Sequence, residues 1–505
     1  MKKHISLLLT ALLVLLMMTF MSVSASAAWD GSISVDFAGG NGTEASPFEI
    51  ASAQDLALVA KKVNEEGIEF EGQYLRLTTD IDLGGTPWVA IGNRASGSIA
   101  VFKGTFDGDG HTVSGLNIDD VNTDTGLFGR VSGATIKNLT VTGDKAAGAK
   151  YVGAIAGYAI NGSTILNCHS AVKVVQGTTA GGIVGRVQAA GADGNFNVIK
   201  GCTSGSEIVL LAGKDVFGGG IVGAAGATEI SWCINTGNVK SEVGSTNLLT
   251  AGGIIGVQGA SSMTSHVRNC YSTGDVTLLS TADATYAGGI IGRAAHITAE
   301  TFLQNCFSTG HAIVKDENGV AVDGKYGSLI GHIRYVLFVS NCYTSIPVSE
   351  CPEVGSDPNA CIENGNITII TEAQMKGKDA VANMKLGSGW VADAAGFPTI
   401  DLSAAKDPET PPEPEVTTPE PSVTTAPAPT TTTPEPEVTT PEPEVTTPTP
   451  TGTTATPSDT TPGGNTPSDP EKSGPNVFVI LIIVVVVLAA GAIVVVVVMD
   501  KKKKK

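Results

Sequence analysis

Aromatic residues make up only 5% of the 505-residue chain and charged residues 16%. Both shares are too small for the charged surface and aromatic-anchored core of an ordinary helical enzyme. Positive charge is scarce as well: 31 Lys and Arg stand against 49 Asp and Glu, giving a net charge of −18 and a pI near 4.8. A phosphate backbone would be repelled by most of such a surface, so a nucleic-acid partner is excluded. The usual catalytic signatures are missing too. None of the seven histidines sits in a His-Glu-x-x-His motif, and there is neither a Gly-x-Ser-x-Gly elbow nor a Gly-Lys-Ser/Thr phosphate loop. What the chain does have is turn residues, 62 Gly and 25 Pro. A length that would suggest about three globular domains must therefore be reread in terms of repeats and unfolded segments.

The two ends predict export and anchoring. Lys2 and Lys3, an apolar stretch over 7–21 and Ala25-Ser26-Ala27 read as a secretory signal over 1–27, with the mature chain starting at Ala28. At the other end, 477–499 is an unbroken apolar run whose helix would be about 34 Å long, enough for a bilayer core. A transmembrane helix over 476–499 is expected. The five lysines 501–505 place the tail 500–505 on the cytoplasmic side and the body outside. Glu471 to Asn476 contain no Leu-Pro-x-Thr-Gly sorting motif, which favours a plain single-pass anchor. Without the two signal lysines and the net four positive charges of the tail, the exported part carries −24.

Between Asp407 and Pro475 the composition changes abruptly. Nineteen of the 25 prolines lie there with Thr and Glu, without one aromatic residue, and Pro-Glu-Pro-Glu-Val-Thr-Thr recurs at Pro434 and Pro441. Such a segment buries too little apolar surface to offset its ordering entropy, so a disordered stalk is expected over 407–475.

Upstream lies a repeat. Variants of Gly-Gly-Ile-Val-Gly close at Gly129, Gly157, Gly185, Gly223, Gly256, Gly292 and Gly331, spaced 28, 28, 38, 33, 36 and 39 residues apart. Each is followed by a second signature, such as Leu166-Asn-Cys168, Arg268-Asn-Cys270 or Ser340-Asn-Cys342. The units hold short runs of β-formers broken by Gly, Asn, Asp and Ser, with no helical apolar period. One unit reads as about one coil of parallel strands, stacked about 4.8 Å from the next. The glycines read as corners that need positive φ or close coil-to-coil approach.

With Asn-Cys-Tyr-x-Thr-Gly beside it, this pentapeptide resembles the GLUG motif family of bacterial and archaeal surface proteins, also found beside the protease domain of IgA-specific metallopeptidases. Gly42 to Ile50, Asp55-Leu56 on a short helix, Leu77 to Leu83, Trp88, Phe102 to Thr112 and Gly389 to Pro398 fit the same family. The resemblance covers roughly Gly39 to Leu402. It implies an all-β, right-handed parallel β-helix over 67–350, exposed at the cell surface, between an N-terminal cap region 28–66 and a C-terminal cap region 351–406. It supplies no reaction.

Six of the eight cysteines (168, 202, 233, 270, 306 and 342) occupy one repeat position. Parallel Cβ vectors about 4.8 Å apart are poorly placed for disulfides, so a ladder of buried thiols is expected. Cys351 and Cys361 fall outside the repeat and are the disulfide candidates. In Asp107-Gly-Asp109-Gly-His111 the carboxylates are candidate calcium ligands, weighed against a Gly/Asp turn whose amides they would bond. No other cofactor is expected. Arg130, Arg186 and Arg293 each follow a closing Gly and would align on one face, either as a basic track for acidic glycans or as ordinary surface arginines. The expectation is a membrane-anchored surface protein that is not an enzyme, an adhesion module for an extracellular glycan or protein. A polysaccharide lyase or glycoside hydrolase, and a structural surface-layer component, are the alternatives.

Overall fold

The computed structural model describes residues 28–93, 99–120, 124–188, 196–241, 247–259, 265–279, 284–295, 301–322, 325–334, 336–347, 361–363 and 367–405. The expected leader, Cys351, the Pro/Thr/Glu-rich segment, the apolar run 476–499 and the lysine tail lie outside the described residues, as does the side chain of Cys361.

The described chain is a parallel β-solenoid. Its strands form a 23-stranded, a 7-stranded and a 6-stranded sheet, all parallel, and one small antiparallel pair, Trp390–Val391 with Thr399–Ile400. One repeat is one turn. The chain runs through Thr164–Gly177, Thr179–Gly181 and Val184–Gln188 to Asn197–Lys200, which pairs back onto the first strand with Ile199 beside Ile165. Equivalent residues therefore stack in columns. Ile136, Ile165, Ile199, Ile230, Val267 and Leu303 form one such column, fully buried in the core. β-Branched side chains suit this half-buried pleated surface, and each buried one contributes about 1.5–3 kcal/mol of transfer free energy.

The two repeat signatures make two different corners. Left-handed backbone belongs to the second signature: Asn138, Asn167, Asn269, Asn305 and Asn341 have φ between 49° and 54°. Asn tolerates this region, and its amide adds a ladder. Asn167 donates to Asn138 Oδ1 at 3.0 Å and Asn341 to Asn305 Oδ1 at 2.8 Å. The glycines of the pentapeptide do not have positive φ; close approach alone explains them. A Cβ on Gly219 would lie 2.0 Å from the carbonyl oxygen of Val222, and one on Gly223 2.6 Å from that of Gly185 in the preceding coil.

The six repeat cysteines are unbridged and fully buried just past the Asn corner. Each thiol sits near a carbonyl two residues back, as Cys270 does at 3.1 Å from Arg268 O. Burial pushes the thiols of Cys168, Cys233, Cys270 and Cys306 well above their ordinary range, so they stay protonated as apolar filler.

At the N-terminal end, helix α1 (Ala53–Asn64) begins at Ser52, whose hydroxyl accepts the Asp55 amide. Its buried Leu56, Val59 and Val63 join the core with Trp29 and Phe70. Phenylalanines fill the first coils: Phe70, Phe102 and Phe128 touch in sequence at 6.1 and 5.2 Å.

Residues 371–405 belong to the expected C-terminal cap region 351–406. They lie along the flank of the coils from Gly201 to Tyr343, with Met375, Met384, Leu386 and Trp390 buried against Trp232, Tyr271, Phe307 and Tyr343. The physical reason is in the coils themselves. Trp232, Tyr271, Phe307 and Tyr343 flank the Asn-Cys corners, where Tyr271 and Phe307 stack at 4.5 Å, and an aromatic column on the outer face needs a cover. The cover seats where the Asn ladder is interrupted. Gly201 replaces Asn and admits Leu402, whose Cδ1 would be 2.4 Å from an added Cβ; Trp232 replaces the next Asn and meets Trp390 at 5.6 Å.

Candidate ligand-binding groove

Each pentapeptide joins a strand of the six-stranded sheet to one of the seven-stranded sheet, as Gly219 to Gly223 joins Asp215–Gly219 to Val222–Ala225. The middle Ile221 points into the core, and the outer faces of the two strands fold toward each other at the glycines. Because every coil repeats this corner, the corners line up as a groove parallel to the stack. One wall carries Tyr151, Thr179, Phe217, Thr250 and Tyr286 in register. The other carries Arg130, Tyr158 and Arg186, then Ala224, Val257, Arg293 and His332.

The walls touch. Arg186 Nη1 donates to the Tyr151 hydroxyl at 3.0 Å, with the guanidinium 5.2 Å from the same ring, and Tyr286 meets His332 at 4.1 Å. Two contiguous hollows of about 310 Å³ each follow this line and share Arg186, Asp215 and Phe217. Lys150 and Lys214 flank one, Arg293 and Arg334 the other; the floor is Ala224, Ala225 and Val257. Asp215 is the only carboxylate among the described lining residues, and it accepts from Asn247 Nδ2 at 2.6 Å. Within a chain of net charge −18 this is a cationic, aromatic-sided channel with a small apolar floor.

The three sequence-derived arginines fare differently. Arg130, Arg186 and Arg293 do align on one wall, but Arg130 does not belong to an open ligand face. It is buried, and both Nε and Nη2 bond Asp124 Oδ2, at 3.0 and 2.6 Å. The first coil of this wall is covered by Asp124, so its guanidinium is a structural pair. Arg186 and Arg293 line the groove, half-buried. Tyr151, Phe217, Lys214 and Arg334 escaped the reading of the sequence. The signal for the first two was available: Tyr151, Phe217 and Tyr286 each stand two residues before the first glycine of a pentapeptide, on the face opposite the core by strand alternation.

Asp107 and Asp109 form the turn. Asp107 Oδ1 accepts from the Asp109 amide at 2.9 Å and from Asn138 Nδ2 at 3.0 Å, and Lys137 Nζ lies 3.1 Å from Oδ2. Burial alone would raise the Asp107 carboxyl, but these donors outweigh it and hold it below the ordinary value. Asp109 is exposed with φ +49°, and His111 turns instead to Asp80 at 3.1 Å. Asp107 is engaged by three protein donors and starts the ladder that the Asn corners continue. Among the described residues no group of three or more His, Cys, Asp or Glu is placed to hold a metal ion. A further hollow of about 220 Å³ at the N-terminal end lies beside Trp29, Trp88 and Asn64. Both indoles donate to backbone carbonyls, and the Asn64 side chain bonds Ala90 O and the amides of Gly92 and Asn93, which leaves few groups there to orient a ligand.

The GLUG motif model matches residues 247–277, which run from the groove wall at Leu248 through the pentapeptide 252–256 and the Asn269-Cys270 corner. The chain carries a GLUG motif. The matched span is one GLUG coil, and the same corners recur on either side of it. Halomucin of Haloquadratum walsbyi is 33% identical over 160 residues, 30% of this chain and 2% of that protein. A protein of Evansella cellulosilytica described as a Gly-rich membrane protein is 35% identical over 111 residues, 21% of this chain and 12% of that protein. The chain thus matches only a small part of either relative. A crystal structure of a protein from Bacteroides ovatus described as an immunoglobulin A1 protease superposes with a TM-score of 0.45 and 23% identity, covering 59% of this chain and 87% of that one. Likeness at that level carries no argument about activity. No helix among the described residues is long and apolar enough to cross a membrane.

Proposed function

We propose that this GLUG-motif protein is a single-pass cell-surface protein. Its β-solenoid is right-handed, as parallel crossovers are, and binds an extracellular polymer in the lateral groove without transforming it. The observation that carries the reading is the groove: Lys150, Arg186, Lys214, Arg293 and Arg334 lie along one channel with a single described carboxylate, on a strongly acidic chain. A channel that runs parallel to the coil stack suits an extended ligand, and clustered cations in an otherwise acidic protein attract a partner to that channel alone. The remaining titratable groups support binding over catalysis. Asp107, Asp80 and Asp124 are held by amides, His111 or Arg130, and Asp215 by Asn247. Membrane attachment rests on the sequence of 476–505.

A pull-down of soluble extracellular polymers by the full chain, compared with the R186A/R293A double variant, tests the proposal. Retention of at least one polymer by the parent chain and its loss in the variant is the expected result. Cleavage of the polymer during incubation, or retention that ignores both arginines, sinks it.

A further inference from the structure

We infer that the ligand of the groove is a linear polysaccharide bearing carboxylates, laid along the coil stack. This rests on the reading of the groove as a polymer-binding site and narrows it to one chemistry.

Three features of the channel select the ligand. The first is charge. Arg186 and Arg293 occupy the same outer column, separated by Ala224 and Val257, so they stand three coils or about 14 Å apart. Arg186 is held against the Tyr151 ring and hydroxyl, which fixes its planar fork for two-pronged contact with a carboxylate. The second is the wall. Tyr151, whose ring holds the Arg186 guanidinium and Lys150 Nζ at 5.2 and 4.7 Å, and Phe217 set aromatic groups beside the cations, and the Ala224, Val257 and Gly226 floor leaves room for a ring to lie against it. Sugar rings present C–H faces to aromatic walls and hydroxyls and carboxylates to the rim, which matches a channel apolar at its floor and cationic at its edges.

The third feature rules against an acidic peptide. The groove is built from the outer faces of two sheets whose strands are already paired on both sides: Val222–Ala225 lies between Val184–Gln188 and Ile255–Gln258, and Asp215–Gly219 between Thr179–Gly181 and Leu248–Gly252. No strand edge runs along it, so a peptide backbone would enter with its N–H and C=O groups unmatched by strand addition. A polysaccharide has no such backbone requirement. The groove is also long enough for several units, since it extends from the coil of Tyr151 to that of Arg334, five coils further on and about 24 Å.

The test uses the immobilised full chain and three soluble probes: polygalacturonate, the same polymer with its carboxyls reduced to alcohols, and poly-glutamate. Polygalacturonate is expected to bind most tightly, with its affinity falling at least about tenfold on carboxyl reduction, a change of about 1.4 kcal/mol. The same loss is expected in R186A/R293A, and the binding should weaken steeply with added salt. Because loss of two arginines can also disturb the fold, Ala224→Glu supplies an independent variant. It leaves both arginines in place and sets a carboxylate on the floor between them, and it too should abolish binding while thermal unfolding stays near that of the parent. Poly-glutamate binding as tightly as polygalacturonate overturns the polysaccharide assignment. Equal binding of the reduced polymer overturns the role of the carboxylates while leaving the groove a polymer site. Binding of none of the three, together with failure of every polymer in the broader pull-down, removes the underlying reading as well.

Discussion

Two outer faces of the same coils meet opposite fates. Beside the Asn-Cys corners, Trp232, Tyr271, Phe307 and Tyr343 form an aromatic column that residues 371–405 cover. At the glycine corners, Tyr151 and Phe217 on one wall and Arg186 and Arg293 on the other line a groove that stays open. Both faces carry aromatic groups, and both are built by the repeat. They differ in charge: the covered column is almost wholly apolar, whereas the open one mixes rings with cations. An apolar stripe is hidden by the chain itself because water penalises it, while a cationic one stays solvated until a ligand of opposite sign arrives. The C-terminal segment is thus a structural cover, and the glycine groove is left uncovered.

The largest effect should come from breaking the cover. Trp390→Ala removes the ring that meets Trp232, Tyr271 and Phe307 and should cost about 4 kcal/mol in chemical denaturation. It should also speed proteolysis within 371–405 while leaving polymer binding intact. Trp390→Phe should cost far less, since the indole N–H has no acceptor. A loss of binding in Trp390→Ala equal to its loss of stability would show that the faces are not separate.

Along the arginine wall, the buried and the groove-lining arginine should part company. Arg130→Ala leaves Asp124 buried without its cation and should cost about 3 kcal/mol with little change in binding. Arg186→Ala should cost under about 1 kcal/mol of stability and weaken binding. If both arginines behave alike in unfolding and in binding, the distinction between structural and ligand-facing arginine fails.

A smaller effect tests the seat of the cover. Gly201→Asn restores the ladder residue and keeps φ +68° accessible, but its side chain meets Leu402, so a loss of about 1 kcal/mol is expected, with mobility confined to the end of the flank segment. Hydrogen exchange of 398–405 would report it. Exchange that stays unchanged would mean that Leu402 is not seated there.

pH supplies the subtlest separation. Burial, then Asp393 of the cover, pushes Tyr271 up to about 12, from 10 in an unfolded chain. The folded state holds that proton longer, so stability is complete below about pH 10 and is lost as pH rises toward 12; Tyr271→Phe should remove this part of the loss. Burial, then Arg268, lowers His266 to about 4 from 6.5, so its contribution is present above 6.5 and fades as pH falls toward 4. Melting curves of His266→Gln against the parent between pH 4 and 7 would isolate it.

Much of this architecture was legible in the residues. The spacing of the closing glycines announced a coil per unit, and the common position of six cysteines announced an inward column of thiols. The aligned arginines announced a shared wall. Other features had no local signal. Positive φ was assigned in part to the pentapeptide glycines, yet it belongs to the Asn corner, because the glycines answer to a carbonyl one coil away that no single unit contains. Arg130 read like Arg186 because both follow a closing Gly, and only the approach of Asp124 at the first coil distinguishes them. Where the C-terminal segment packs was not legible either, because Gly389-Trp390 and Phe397 carry no mark of the coils they meet.

What the sequence determined by itself is therefore whatever a coil settles with its nearest neighbours: the parallel stack, the inward columns and the two corners. Identical residues at a fixed period fall into identical surroundings, so a one-dimensional pattern suffices. What only the tertiary structure decided is which outer face is covered and which is left as a groove. Tyr151 and Arg186 are 35 residues apart, on different sheets and neighbouring coils, and Leu402 reaches Gly201 across about two fifths of the chain. Contacts of that range depend on how strands fold over one another in space, which the period of the repeat does not encode.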